Sequence, residues 1–128
     1  MRFRVEKLIR DKLPEIMRME GLRVFERKLG IDEFVHSLKA KLTEEAAEVA
    51  GSNSRDELLA ELADVMEVIL TLAAVHGYTG ADLEEARAAK REERGGFDDR
   101  VYNAAVEGDE DCGAVSYYLA RPEAYPRV

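Results

Sequence analysis

The sequence predicts an all-α fold, a small helical bundle. Three observations carry it. Apolar residues recur at α-helical spacing through two long stretches, near residues 32–50 and 54–76. Each stretch opens on a capping residue and closes on glycine. Charged residues make up 36% of the chain beside 46% apolar, the mixture of a globular protein with long solvated helical faces.

Taken in order, residues 1–11 (MRFRVEKLIRD) mix β-branched, aromatic and basic side chains and read as an extended lead-in. Asp11 is placed to cap a short helix that tolerates Pro14 in its first turn and runs to about Gly21. Leu22 to Gly30 suits a connector or brief extended segment, and a strand is expected there. Asp32 is the expected N-cap of a helix to about Ala50, ended by Gly51. Ser54 with Glu57 three residues later forms a capping box for the next helix, through Ala73 to His76, with Gly77 as its stop. Thr79 with Asp82 starts a fourth helix to about Arg94, where Gly95-Gly96 ends it. From Phe97 to Val128 clean periodicity is lost. An acidic turn (GDEDCG) and two prolines there suggest a tail, about 98–128, packed on the bundle.

The 128 residues make one domain of ordinary size, 1–128, able to bury a core without staples. A net charge of −8 argues against a nucleic-acid surface, which needs a dense basic stripe. It leaves room for a small phosphorylated substrate, because a bound cation reverses the local sign. Cys112 is the single cysteine, so no internal disulfide can form and a reducing, cytoplasmic setting is expected. No signal-like segment is visible, and no apolar run approaches the ~18 residues that span a bilayer.

The chemistry lies in KLTEEAAEVAGSNSRDELLAELADV. On the helix from Asp32, the residues Phe34, Leu38, Leu42 and Val49 define an apolar stripe. At ~100° per residue, Glu45 falls inside its arc and Glu48 at its edge, roughly 60° away, with Lys41 between them and Glu44 further towards solvent. On the following helix Leu58, Leu62, Val65, Ile69 and Leu72 are expected to face inward. Glu61 shares an apolar arc and Asp64 lies beside it. Each helix thus presents an acidic pair at i, i+3. An isolated pair of this kind is ordinarily a solvated face. Two pairs on apolar arcs of adjacent antiparallel helices would converge, and converging carboxylates repel unless a cation sits among them. Oxygen ligands without His or Cys favour Mg²⁺, Mn²⁺ or Ca²⁺ over zinc. A di-iron bundle would need Glu-x-x-His motifs, and neither His36 nor His76 is so placed.

Glu44-Glu45-x-x-Glu48, twelve residues, then Glu61-x-x-Asp64 resembles the EExxE…ExxD signature of MazG-like nucleoside triphosphate pyrophosphohydrolases. That all-α superfamily includes the phosphoribosyl-ATP pyrophosphohydrolases and dimeric dUTPases. Lys7-Leu8-Ile9-Arg10-Asp11-Lys12-Leu13-Pro14 resembles the "KLVRDKIP" opening of a small house-cleaning branch, and Lys90 with Arg94-Gly95-Gly96-Phe97 resembles its "K…RGGF" segment. The likeness spans about residues 5–98. It departs at Val5-Glu6, where the branch has Tyr-Asn.

The resemblance implies a bundle of the all-α NTP pyrophosphatase type, completed by dimerisation as a homodimer or dimer of dimers. It implies Mg²⁺ (or Mn²⁺) on Glu45, Glu48, Glu61 and Asp64, and release of pyrophosphate from a nucleoside triphosphate. Glu44, Glu45 and Glu48 are the catalytic candidates: Glu44 for a further metal or for orienting water, Glu45 or Glu48 for taking the proton. Lys7, Arg10, Lys12, Lys41, Lys90 and Arg94 are candidate phosphate contacts. Against these stand ordinary roles, an ion pair with Asp11 for the N-terminal cations and the helix dipole for Lys90 and Arg94. Two alternatives stay open: phosphoribosyl-ATP hydrolysis, and a non-catalytic helical module with a structural metal. Apart from the resemblance, the helix from Ser54 to His76 is apolar around more than half its circumference, so a second protomer is expected on it.

Overall fold

The computed structural model describes residues 1–128 and contains five helices and no strand: α1 (Leu13–Met19), α2 (Ile31–Ala50), α3 (Arg55–Val75), α4 (Gly80–Arg94) and α5 (Val115–Leu119). The all-α expectation therefore holds. Its contacts divide the chain into two compact units, Met1–Glu92 and Glu93–Val128.

Local chemistry sets the helix ends. Ser54 Oγ accepts from the Glu57 N–H at 3.1 Å, while the Glu57 carboxylate accepts from the Asn53 N–H at 3.3 Å. Thr79 and Asp82 close the reciprocal box, Thr79 Oγ1 accepting from Asp82 N–H at 3.1 Å and Asp82 Oδ2 from Thr79 N–H at 2.8 Å. At the C-terminal end of α3, Gly77 takes φ +81°. Its N–H reaches Ala74 O at 3.0 Å, and Tyr78 N–H reaches Ala73 O at 2.9 Å. This bond pattern satisfies the last carbonyls and needs the left-handed residue that glycine supplies. Gly21, φ +93°, ends α1 in the same way.

Three expectations are corrected. Residues 22–30 form no strand, because extended residues need a neighbouring strand to take up their backbone bonds and an all-helical chain offers none. The segment is instead tied by ion pairs, Arg18 to Glu26 at its start and Arg27 to Glu33 beyond its end. Asp32 is not an N-cap. Helix α2 begins one residue earlier, with Gly30 as N-cap and its carbonyl accepting from Phe34 N–H at 2.9 Å, which leaves Asp32 and Glu33 in the first turn where the helix dipole favours acids. Nor does Asp11 cap α1: Lys12 stands at that position without a side-chain bond, and Pro14 occupies the first turn.

Helices α2 and α3, joined by residues 51–54, pack side by side as an antiparallel pair. Their contact holds what core there is: Leu38 (2% exposed), Val68 and Ala73, with Glu45 the buried polar residue. The sequence expected Leu58, Leu62 and Ile69 to face inward, yet all three are exposed, as are Leu59, Met66 and Leu70. The wheel explains this. Glu61, Val65, Val68 and Leu72 form one face of α3, and Leu58, Leu62, Met66 and Ile69 form another about 85° round. A single neighbouring helix covers only the first.

In the first unit the N-terminal lead-in turns at Glu6, whose φ of +46° lies in the left-handed region. Asparagine enters that region far more readily than glutamate. Glu6→Asn should stabilise the chain by about 0.5–1 kcal/mol, measured as a higher urea midpoint with unchanged slope.

The second unit gathers three tyrosine rings from a stretch the sequence left without periodicity. Tyr117, Tyr118 and Tyr125 lie with centroids 5.1–5.8 Å apart, and the Arg121 guanidinium sits 4.0 Å from the Tyr117 ring centre. Cys112 is free and exposed.

Candidate metal centre

Of the four paired acids on α2 and α3, three converge and Glu48 does not. One carboxylate oxygen from each of Glu45, Glu61 and Asp64 lies within 4.8 Å of the other two. Glu45 projects from the buried face of α2 and is 9% exposed, as the 100° arithmetic expected, while Glu61 and Asp64 are half-buried on the facing side of α3. Glu48 is exposed and stays outside this group, but its charge reaches Glu61.

Cations crowd the same place. Lys41, its side chain only 18% exposed, lies 3.4 Å from Glu45 Oε1 and 3.4 Å from Glu44 Oε2. Lys7 Nζ donates to Glu44 Oε1 at 3.1 Å, and Arg10 Nη2 donates to Asp64 Oδ1 at 2.6 Å. The N-terminal motif and the acidic motif, 37 and 54 residues apart along the chain in these two pairs, thus meet in space. Of the remaining expected phosphate contacts, Lys12 stands exposed at the N-cap of α1 and Lys90 stands exposed on α4. Arg94 belongs to the second unit, 3.9 Å from Glu93. Arg10 as a partner of Asp64 carries no local signal in the sequence, because neither periodicity nor spacing links an extended lead-in to the middle of α3.

Five carboxylates (Glu44, Glu45, Glu48, Glu61, Asp64) face three cations (Lys7, Arg10, Lys41), a formal surplus of two negative charges. Its consequence shows at Glu61, whose carboxyl is raised above the ordinary glutamate range, first by loss of solvation and then by the charges of Glu48, Asp64 and Glu45. Glu44 goes the other way. Burial pushes it up, but the Lys7 hydrogen bond and the charges of Lys41 and Lys7 outweigh that and lower it. The donors are all oxygen, with no His or Cys, and their spread of up to 4.8 Å is wider than the ~4.2 Å that separates trans oxygens around Mg²⁺, so the three carboxylates would have to draw together on a bound ion.

The raised carboxyl gives a signed pH dependence. An acid raised on folding contributes stability that is full below its unfolded value and lost as pH rises through the folded one. Without divalent ions, the chain should therefore lose stability as pH climbs from the ordinary glutamate range through the raised Glu61 value. Glu44, being lowered, acts with the opposite sign and only at more acid pH, as its carboxylate is protonated. Thermal melts across this range, with and without Mg²⁺, should show the Glu61 loss cancelled by the ion and absent in Glu61→Gln.

The fold and site together define an all-α chain whose central helix pair carries a buried-to-half-buried carboxylate cluster. No family model matches the chain, and no solved structure matches it. It is similar to a protein of Mycolicibacterium smegmatis (strain ATCC 700084 / mc(2)155), described as uncharacterised, with 42% identity over 53 residues, 41% of this chain and 54% of that protein. The chain thus spans about half the length of the curated relative it matches. No helix is long and apolar enough to cross a membrane.

Proposed function

We propose that the chain hydrolyses a nucleoside triphosphate to the monophosphate and pyrophosphate in a Mg²⁺-dependent reaction (Mn²⁺ being an alternative ion), clearing unwanted nucleotides from the pool. The observation that carries the proposal is the meeting of Glu45, Glu61 and Asp64 from two successive helices, with two surplus negative charges among five acids and three bases. The resemblance of those acids, of the Lys7–Pro14 stretch and of Arg94-Gly95-Gly96-Phe97 to the MazG-like signature points to phosphoric anhydrides.

Glu45, Glu61 and Asp64 would hold the ion, with Glu48 at the edge of the set. When bound, Mg²⁺ neutralises phosphate charge and acidifies a nearby water molecule. Water adds to the phosphorus next to the sugar, the anhydride bond beyond it breaks, and pyrophosphate leaves. Glu45 or Glu48 would take the proton, Glu48 being exposed and outside the three-oxygen group. Lys41 holds Glu44 and Glu45 in position from the same helix, so its charge also lies where phosphate oxygens would approach. Lys7 and Arg10 approach the same acids from the N-terminal segment. The exposed second face of α3 supports assembly of two or more copies.

The test is a panel of ordinary, deoxy and modified nucleoside triphosphates with Mg²⁺ and Mn²⁺, read out as pyrophosphate, with phosphoribosyl-ATP included. Pyrophosphate from nucleotides is the expected result. Turnover of phosphoribosyl-ATP alone would move the assignment to histidine biosynthesis. Ion binding without pyrophosphate from any compound would leave a non-catalytic helical module.

A further inference from the structure

We propose that the N-terminal segment is a charge-docked strap in competition with a divalent cation for Asp64, an inference that rests on the cation site proposed above. Leu8 and Ile9 are half-buried, and on either side of them Lys7 and Arg10 reach out to α2 and α3. The strap is therefore held at two charged points, Glu44 and Asp64, with apolar contact between them. Both ion pairs are substantially exposed, Arg10 at 61% and Asp64 at 37% of the side chain, which makes them weak and easily exchanged.

Asp64 serves two partners. Its Oδ1 accepts from Arg10 at 2.6 Å, and an oxygen of the same carboxylate lies in the three-acid group with Glu45 and Glu61. A neutral donor at the Arg10 position would orient the carboxylate for a metal. A guanidinium there repels one, because a dication on Asp64 lies within a few ångströms of a like charge. The two occupants are thus antagonists, and the coupling is reciprocal: the ion loosens the strap by the factor by which the strap weakens the ion. Ion binding would release Arg10 beside the acids, its charge free for a polyphosphate. The chain then binds cation first and anion second.

Calorimetry of Mg²⁺ and Mn²⁺ on the full chain, paired with the rate of trypsin cleavage after Lys7, tests this. Arg10→Gln should bind the ion about threefold tighter than the natural chain, a factor in keeping with an exposed ion pair. Arg10→Lys, which keeps the charge, should stay near the natural value. Saturating Mg²⁺ should speed cleavage after Lys7 in the natural chain, whereas Arg10→Gln should be cut fast with or without the ion. Unchanged or weaker binding by Arg10→Gln, or cleavage after Lys7 that slows on adding Mg²⁺, would overturn the strap while leaving the cation site standing. Absence of any binding heat in all three proteins would remove the site and the strap together.

Discussion

Asp64→Asn should abolish pyrophosphate release and leave the helices folded. The substitution keeps the shape of the side chain and removes its charge, so the change falls on ion binding and on the partner Arg10. Loss of one preorganised electrostatic contact costs about 10²–10³-fold in turnover, and loss of a ligand that holds the ion should cost at least as much. The fold should hardly notice. The Arg10–Asp64 pair is exposed and worth about 0–1 kcal/mol, and removing the Asp64 charge relieves repulsion on the raised Glu61 carboxyl. Glu61→Gln should behave alike, with a higher melting temperature in the absence of divalent ions. Glu67→Gln, exposed on the same helix, is the control and should keep full turnover. Circular dichroism melts beside pyrophosphate assays read both quantities. Full turnover by Asp64→Asn would remove the metal-site assignment whatever the signature suggests.

What the sequence made legible is local or periodic. Ser54 with Glu57 and Thr79 with Asp82 announce helix starts because the bonds they make are local; the Thr79–Asp82 box closes on itself, while Ser54 caps Glu57 N–H and the Glu57 carboxylate returns to Asn53 N–H. The burial of Glu45 follows from counting 100° steps round one helix, and the proximity of Glu61 and Asp64 follows from adding the packing of a second. Failures came where a local pattern needed something distant. A strand over 22–30 needs a partner strand. The inward orientation of Leu58, Leu62 and Ile69 assumed that every apolar residue of α3 meets its own chain, whereas a helical wheel cannot tell a face covered within the chain from one covered by another molecule. The contact of Arg10 with Asp64 spans 54 residues and leaves no periodic trace. In the second unit, the tyrosine cluster depends on rings three-dimensionally adjacent but drawn from a stretch with no helical repeat.

That second face of α3 supplies the other large effect. Leu62 is 48% exposed, among Leu58, Leu59, Met66 and Ile69. A shallow patch at the N-terminal turns of α3 sets Leu58, Leu59 and Leu62 beside Ser54, Arg55 and Asp56, an apolar centre with a polar edge. Sedimentation at micromolar concentration should therefore find a dimer or larger assembly. Leu62→Asp discriminates sharply. In a monomer, an aspartate at so exposed a position changes stability by no more than about 0.5 kcal/mol. In an assembly that covers this face, each copy buries an unpaired charge at a cost of about 3–5 kcal/mol, weakening association by two to three orders of magnitude or more. Because the core within one chain is so small, dissociation should also lower the melting temperature and make it depend on protein concentration. A natural chain that sediments as a monomer, with Leu62→Asp melting at the same temperature, would mean that this apolar face lies open to water.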